Sequence, residues 1–509
     1  MGTSLRYLVQ THGCQMNVHD SRRIEEVLRS HGYRPADEPA AADLVVVNTC
    51  SVREKAEHKL MSLLGTLRPW KESHRSAVLA VAGCVAQQEG ERLLGRARHV
   101  DLVIGPDNIP ELPRLVDDAR AGAPPRARTV FDLDAPEFLV ARPHPDRPEV
   151  SAFVTTMKGC DERCTFCIVP TTRGPERYRP ADEVVDEIAR LVDGGVREIT
   201  LLGQTVNSWH PPEDGPGAQS RFPDLLRRIA REVSALRRLR YTSPHPRHLT
   251  EALVAAHAEL PVLPRHLHLP AQSGSDRVLR RMSRRYTADD YLRRVDRLRA
   301  AVPGLTLSTD LIVGFPGETE ADFTATLDLV RRAGFVAAFC FKYSPRPFTP
   351  AEILDGRDPV PEAVKDERLA RLFALVADQQ QAHLASLRGQ RVEVLVEGPN
   401  RADPSRFTGR SERHEIVHLD PGMGEQSGEE GFRDLTGALV EARVTDAFAH
   451  SLRARVDVVV LPPFAPGPLG PKPAGLPATG PGDRRHLPLV GTRRASRDAR
   501  SGPGPRHPS

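Results

Sequence analysis

Apolar residues recur with two spacings along the first 120 positions. The short runs 5–9, 43–47, 78–82 and 102–104 are largely apolar and read as strands. Between them, about 18–31, about 52–67 and a stretch ending near 94 repeat apolar side chains at helical intervals. Alternating strands and helices predict an open parallel sheet. Residues 121–149 hold Pro124, Pro125, Pro136, Pro143, Pro145 and Pro148 and read as a linker. Across 150–383, strands are expected near 152–156, 198–202, 238–241, 265–269, 305–312 and 336–342, with helices such as 181–193 and 318–333 between them. Six such units predict a partial (β/α)6 barrel, open on one side. Over 386–458 the helical period vanishes, and alternation at 392–396, 438–444 and 452–460 predicts a small β-barrel. The final 461–509, with 12 Pro and 8 Gly, reads as a disordered tail. The chain is thus expected to be a multidomain α/β protein. Its units are 3–120, a linker 121–149, then 150–383, 386–458 and the tail.

Composition narrows the class. The 509 residues are 27% charged and 39% hydrophobic and include seven cysteines. This excludes a collagenous or disulfide-rich secreted protein, and one disordered throughout. No signal-peptide core follows Met1, and no apolar run reaches the ~20 residues of a membrane span. No membrane partner is expected, and the cytoplasm is the expected location. There, cysteines more often bind metal or catalyse than pair. The formal charge of +4 says little about the folded units. Residues 461–509 carry one Lys, seven Arg and two Asp, a net of +6, which leaves −2 for the rest. Net charge therefore gives no evidence for a nucleic-acid-binding core.

Six cysteines form two groups. Cys160, Cys164 and Cys167 make a C-x3-C-x2-C pattern after the first strand of the central unit. Three thiolates so close in sequence can hold one metal centre. A cubane cluster bound by three cysteines keeps one iron without a protein ligand, open to a substrate or cofactor. A structural zinc site would need a fourth ligand, and the nearest histidines are His144 and His210. Phe166 either shields such a cluster, stacks on a ligand, or packs in the core. Cys14, Cys50 and Cys84 each follow a predicted strand of the first unit. Open α/β sheets bind ligands at that edge, and strands ~4.8 Å apart let three loops meet. Isolated cysteines are otherwise buried core residues, the reading for Cys340 inside the apolar stretch AFCF.

The Cys160 motif resembles that of radical S-adenosylmethionine (SAM) enzymes. With THGCQMNVHD (11–20), NTCSVREKA (48–56) and GCVAQ (83–87), the chain resembles the methylthiotransferase family, in the branch that modifies isopentenyladenosine in tRNA. LLGQTVNS (201–208), LPAQSGSDRVLRR (269–281) and STDLIVGFPGE (308–318) extend the match. Residues 386–458, including TGRSERHEIVH (408–418), resemble a TRAM domain. The resemblance implies two 4Fe–4S clusters. Cys160, Cys164 and Cys167 would hold one that binds SAM. Cys14, Cys50 and Cys84 would hold an auxiliary cluster that carries the inserted sulfur. One SAM would methylate that sulfur, and a second would yield a 5′-deoxyadenosyl radical. Carbon 2 of adenine has no useful acidity, so radical chemistry suits its methylthiolation. Implied partners are tRNA carrying isopentenyladenosine at position 37 and an electron donor such as flavodoxin or ferredoxin. The sulfur donor is unspecified.

The resemblance also places Gly203 and Gln204 near the SAM amino group. It places Val313 and Gly314 beside the SAM adenine, unless that segment only makes a strand-to-helix turn. Gln272 and Ser273 either face SAM or brace their loop. Arg401, Arg406, Arg410 and Arg413 are candidate phosphate contacts or simply solvated arginines. The 386–460 segment has 10 Arg against 13 acidic residues. The chain departs from the family at Phe348, where Gly is expected, at Tyr178, where Ser is expected, and at His248, where Asp is expected. Competing readings are a sibling enzyme acting on threonylcarbamoyladenosine or on a ribosomal protein, and a non-enzymatic iron–sulfur RNA-binding redox sensor.

Overall fold

The computed structural model describes residues 4–13, 15–51, 55–133, 138–143, 148–215, 217–420 and 434–464. Cys14 and the tail beyond 464 lie outside the described residues.

The N-terminal unit is a six-stranded parallel sheet. Its strands are β1 (Arg6–His12), β2 (Arg34–Pro35), β3 (Leu44–Thr49), β4 (Val78–Gly83), β5 (Leu102–Ile104) and β6 (Arg126–Arg128). They lie in the order β2-β1-β3-β4-β5-β6. All six residues of β3, and all six of β4, are buried. Alternation divides them between two cores. Val45, Val47, Leu79 and Val81 pack with Leu60, Leu64 and Leu93. Leu44, Val46, Val78 and Ala80 pack with Ile24, Leu28 and Leu115. A parallel sheet covered by helices on both faces requires this pattern. Strand β6 falls inside the proline-rich 121–149 segment.

The central unit carries six parallel strands in two groups of three. They are β7 (Ser151–Thr155), β10 (Glu198–Leu202) and β11 (Arg238–Tyr241), then β12 (His266–His268), β13 (Thr306–Val313) and β14 (Ala337–Lys342). A two-stranded ribbon, β8 (Met157–Lys158) with β9 (Arg177–Tyr178), caps the top of β7. Leu267, Leu307, Leu311, Val313, Ala338 and Cys340 join Phe323, Val330 and Leu372 in the core under the helices. The partners Ser308↔Ala337, Asp310↔Phe339 and Ile312↔Phe341 share the opposite face, toward the lumen. The partial barrel expected from six βα units is the observed fold.

Helix Glu362–Ser386 leads to a closed five-stranded barrel. Its strands are β15 (Arg391–Pro399), β16 (Phe407–Ser411), β17 (Ile416–Asp420), β18 (Leu439–Ala447) and β19 (Leu452–Leu461). Two buried arginines of β11 dock it. Arg238 donates to the Arg410 carbonyl at 2.8 Å and pairs with Glu393 at 3.0 Å. Arg240 donates to the Ser411 and Glu412 carbonyls, both at 3.2 Å. Among the described residues no helix is long and apolar enough to cross a membrane.

Candidate active site

The tight cysteine group sits on the loop above β7. Gly159 has φ +80°, and a side chain there would overlap the Pro175 carbonyl, so only glycine lets the loop turn. The Cys160 amide donates to the Gly174 carbonyl at 3.1 Å, and the Cys167 amide to the Cys164 carbonyl at 3.1 Å. Thr165 anchors the loop across the barrel, its hydroxyl donating to the Arg281 carbonyl at 2.8 Å. Cys160 and Cys164 are buried and Cys167 is half-buried. The Thr205 hydroxyl lies 2.9 Å from the Cys160 sulfur, and Arg284 donates to the Cys164 sulfur at 3.4 Å.

This donor set suits a metal centre. Burial, followed by the neighbouring Cys164, pushes the Cys167 thiol up to about 12. Burial likewise pushes the Cys160 thiol well up, and Cys167 adds to it. Such thiols keep their protons at neutral pH unless a metal takes the proton's place.

Gln204 stands beside the same loop. Its Oε1 accepts the Gly159 amide at 2.5 Å, and its Nε2 is buried without a partner. A side chain at Gly203 would crowd Met157. Gln272 has φ +67° and pairs with Leu311, which extends the sheet edge. Ser273 is fully buried, 3.3 Å from the Thr326 hydroxyl and bonded to the Ser275 amide, as a loop brace. Val313 points its side chain into the core under the helices. Gly314 follows with φ +69°, its amide donating to Glu318 at 2.9 Å. Phe166 meets Phe315 edge-on at 6.5 Å between ring centroids.

One group here had no signal in the sequence. Glu162, inside the cysteine loop, accepts from His248 at 2.9 Å and pairs with Arg247 at 3.6 Å. His245 lies within the same cluster. Burial would raise the Glu162 carboxyl, but His248, His245 and Arg247 outweigh it and hold it at about 2. His248, the residue that departs from the expected Asp, is thus a partner to a buried carboxylate under the loop.

Of the dispersed cysteines, Cys50 and Cys84 are brought together by register, and Cys14 lies outside the described residues. His12 pairs with Thr49 and Thr49 with Gly83, so Cys50 and Cys84 follow neighbouring residues at one sheet edge. Both are buried. A side chain on Gly13 would lie 2.7 Å from the Cys50 Cβ, which brings the end of β1 against the same point. Asn17 and Asn48 form a buried amide pair behind it at 3.1 Å. This edge faces the central barrel. The His19 ring nitrogen lies 3.3 Å from the Thr155 hydroxyl, and Asp107 pairs with both Lys158 and Arg177.

The four candidate arginines of the small barrel differ in setting. Arg401 is exposed. Arg406 is paired with Asp403 and Asp420 at 3.2 and 2.9 Å. Arg410 is turned inward against Glu397 at 3.0 Å, and Arg413 is half-buried. Of the four, only Arg401 presents an unpaired exposed charge in the manner of a phosphate contact.

Comparison with known proteins agrees with this arrangement. Residues 154–330 match the radical SAM superfamily, and residues 6–105 match a family described as uncharacterized protein family UPF0004. A solved radical SAM methyltransferase, TsrM from Kitasatospora setae, shares the fold with a TM-score of 0.50 and 17% identity. The match covers 69% of this chain and 74% of that one. A Sorangium cellulosum protein named tRNA-2-methylthio-N(6)-dimethylallyladenosine synthase is 57% identical over 95% of this chain and 99% of its own length. A protein of the same name from Acidithiobacillus ferrooxidans is 46% identical over 89% and 97%. Identity of this extent over nearly the whole length places the chain in the tRNA-2-methylthio-N(6)-dimethylallyladenosine synthase family of radical SAM proteins.

Proposed function

We propose that this protein places a methylthio group on carbon 2 of isopentenyladenosine beside the tRNA anticodon. The observation that carries the reading is the pair of cysteine sites set at facing edges of the N-terminal sheet and the barrel. Cys160, Cys164 and Cys167 would hold the 4Fe–4S cluster and its SAM, and Cys14, Cys50 and Cys84 an auxiliary cluster. Bound there, these groups supply a 5′-deoxyadenosyl radical and a methylated sulfur.

The chain's own residues orient and shield. Arg284 and Thr205 support Cys164 and Cys160 with hydrogen bonds to sulfur. The Gln204 Nε2, buried and unpartnered, is a donor suited to the carboxylate of SAM. Phe166 and Phe315 exclude water on one side of the loop. Among the four candidate arginines of the small barrel, Arg401 is the phosphate contact this reading favours. A ferredoxin- or flavodoxin-type protein would supply electrons.

The test is nucleoside mass spectrometry of tRNA from a strain lacking the gene, beside its parent. The expected result is loss of the methylthio-isopentenyl nucleoside with accumulation of its isopentenyl precursor. Persistence of that nucleoside with loss of methylthio-threonylcarbamoyladenosine would overturn the substrate assignment. Unchanged tRNA would move the search to ribosomal proteins.

A further inference from the structure

The loop that carries Cys160, Cys164 and Cys167 runs into the short helix Val169–Arg173. The two residues at its end serve different sites. The Gly174 carbonyl holds the Cys160 amide. One residue earlier, Arg173 leaves its own unit and enters the N-terminal one. Its Nη2 lies 2.5 Å from Asp20 Oδ2, and its helix packs on the helix Cys84–Glu89, which sets the guanidinium's charge near the Cys84 side chain. Arg173 is only 5% exposed and Asp20 only 6%.

A guanidinium keeps its charge in any protein setting and offers five donors in a fixed plane. Burying it is costly unless it is paired, and a single carboxylate supplies the pair here. A positive charge then lies near a cysteine of one site, on a segment that continues the loop of the other. Asp20 is itself backed by His19, whose Nδ1 lies 3.7 Å away. The arrangement therefore sets one positive and one negative charge in series beside Cys84.

Hydrogen bonds and charge near cluster sulfurs set reduction potential. We propose that Arg173 is a positioning residue for the auxiliary centre, its buried charge stabilising negative charge on the Cys84 sulfur. The potential of that centre then depends on a residue borne by the loop of the other. This rests on the two-cluster reading above.

The charges make the test signed. Full-length protein with Cys160, Cys164 and Cys167 all changed to Ala is reconstituted anaerobically, so that iron reports the auxiliary centre alone. It is titrated with dithionite against redox mediators and followed by electron paramagnetic resonance. Arg173→Met removes the positive charge and leaves Asp20 uncompensated, so the potential should move to more negative values. Asp20→Asn removes the negative charge and keeps the guanidinium, so it should move to more positive values. Arg173→Lys, which keeps the charge, should lie between wild type and Arg173→Met, and it serves if Arg173→Met does not fold. Shifts of the same sign in both single variants, or none in either, would overturn the role of Arg173. Absence of iron from the starting protein would instead overturn the two-cluster reading.

Discussion

The Gly159 amide donates to Gln204 Oε1 at 2.5 Å, so the cysteine loop is held at its first residue by a side chain from the next strand's loop. Gly159 is buried and has no freedom to turn toward water. Gln204→Ala leaves that amide without an acceptor, a loss of about 1–3 kcal/mol. Thermal unfolding of the apo-protein should show the loss, and iron retained at the loop should fall with it. Gln204→Glu keeps the acceptor but sets a carboxylate beside the cysteine loop. Its melt should lie closer to wild type, while iron retention falls further.

Iron content separates the two cysteine sites. Anaerobically reconstituted protein is expected to hold about eight irons, and the Cys160→Ala, Cys164→Ala, Cys167→Ala variant about four. Cys50→Ala with Cys84→Ala should remove the complementary half. Wild-type protein that saturates near four irons would refute the paired-cluster reading.

These sites were legible in unequal measure. The buried strands β3 and β4 announce themselves as apolar runs, and the cysteines that follow them inherit their position from the strand ends. The same holds for Cys160 after β7. Strands β2 and β6 were not legible, because two or three residues rich in arginine carry no period and pair on the sheet edge. Val313 illustrates a subtler difficulty. It belongs to a loop-forming motif, yet strand alternation turns it to the helices and leaves Ile312 on the lumen face. Arg173 was invisible for another reason. Its partner Asp20 is 153 residues away, and no local pattern encodes such a contact. His248 was marked only as a departure, and its carboxylate partner, Glu162, emerges from the fold.

Phe348 has φ +68°, in the left-handed region, where the family resemblance called for glycine. The ring is 60% exposed, with the Arg92 guanidinium 5.3 Å from its centroid. A non-glycine residue in that region costs about 1–2 kcal/mol, and an exposed cation–π contact returns about 0.5–1 kcal/mol. Phe348→Gly should therefore leave stability unchanged or raise it by up to about 1.5 kcal/mol. Urea unfolding checks this. A loss above about 1 kcal/mol would mean that the ring contributes more than the Arg92 contact.

Arg179 and Glu187 form an ion pair at 1% and 0% side-chain exposure, so neither charge reaches water. Glu187 also accepts the Ala141 amide at 2.6 Å, and the Trp209 indole donates to the Arg179 carbonyl at 3.1 Å. Removing Arg179 strands Glu187, whereas removing Glu187 leaves Arg179 a second carboxylate, Glu183, at 3.1 Å. Arg179→Met should cost about 3–5 kcal/mol in denaturant unfolding, and Glu187→Gln less, because Glu183 still pairs with Arg179. The double variant should cost less than the sum of the two, since it leaves no lone buried charge.

Glu26 gives a pH dependence of unusual sign for a carboxylate. Burial raises its carboxyl from 4.5 to about 7, and Arg23, 2.9 Å away, only partly opposes this. Between about pH 4.5 and 7 the folded chain therefore holds a proton at Glu26 that the unfolded chain has lost. Stability from this group falls as pH rises through that window, and the penalty is complete above pH 7. Glu26→Gln cannot ionise. The stability of Glu26→Gln relative to wild type should thus increase between pH 5.5 and pH 8 in urea unfolding, whatever constant offset the lost Arg23 pairing introduces. A pH-independent difference would show that Glu26 titrates alike in the folded and unfolded chains.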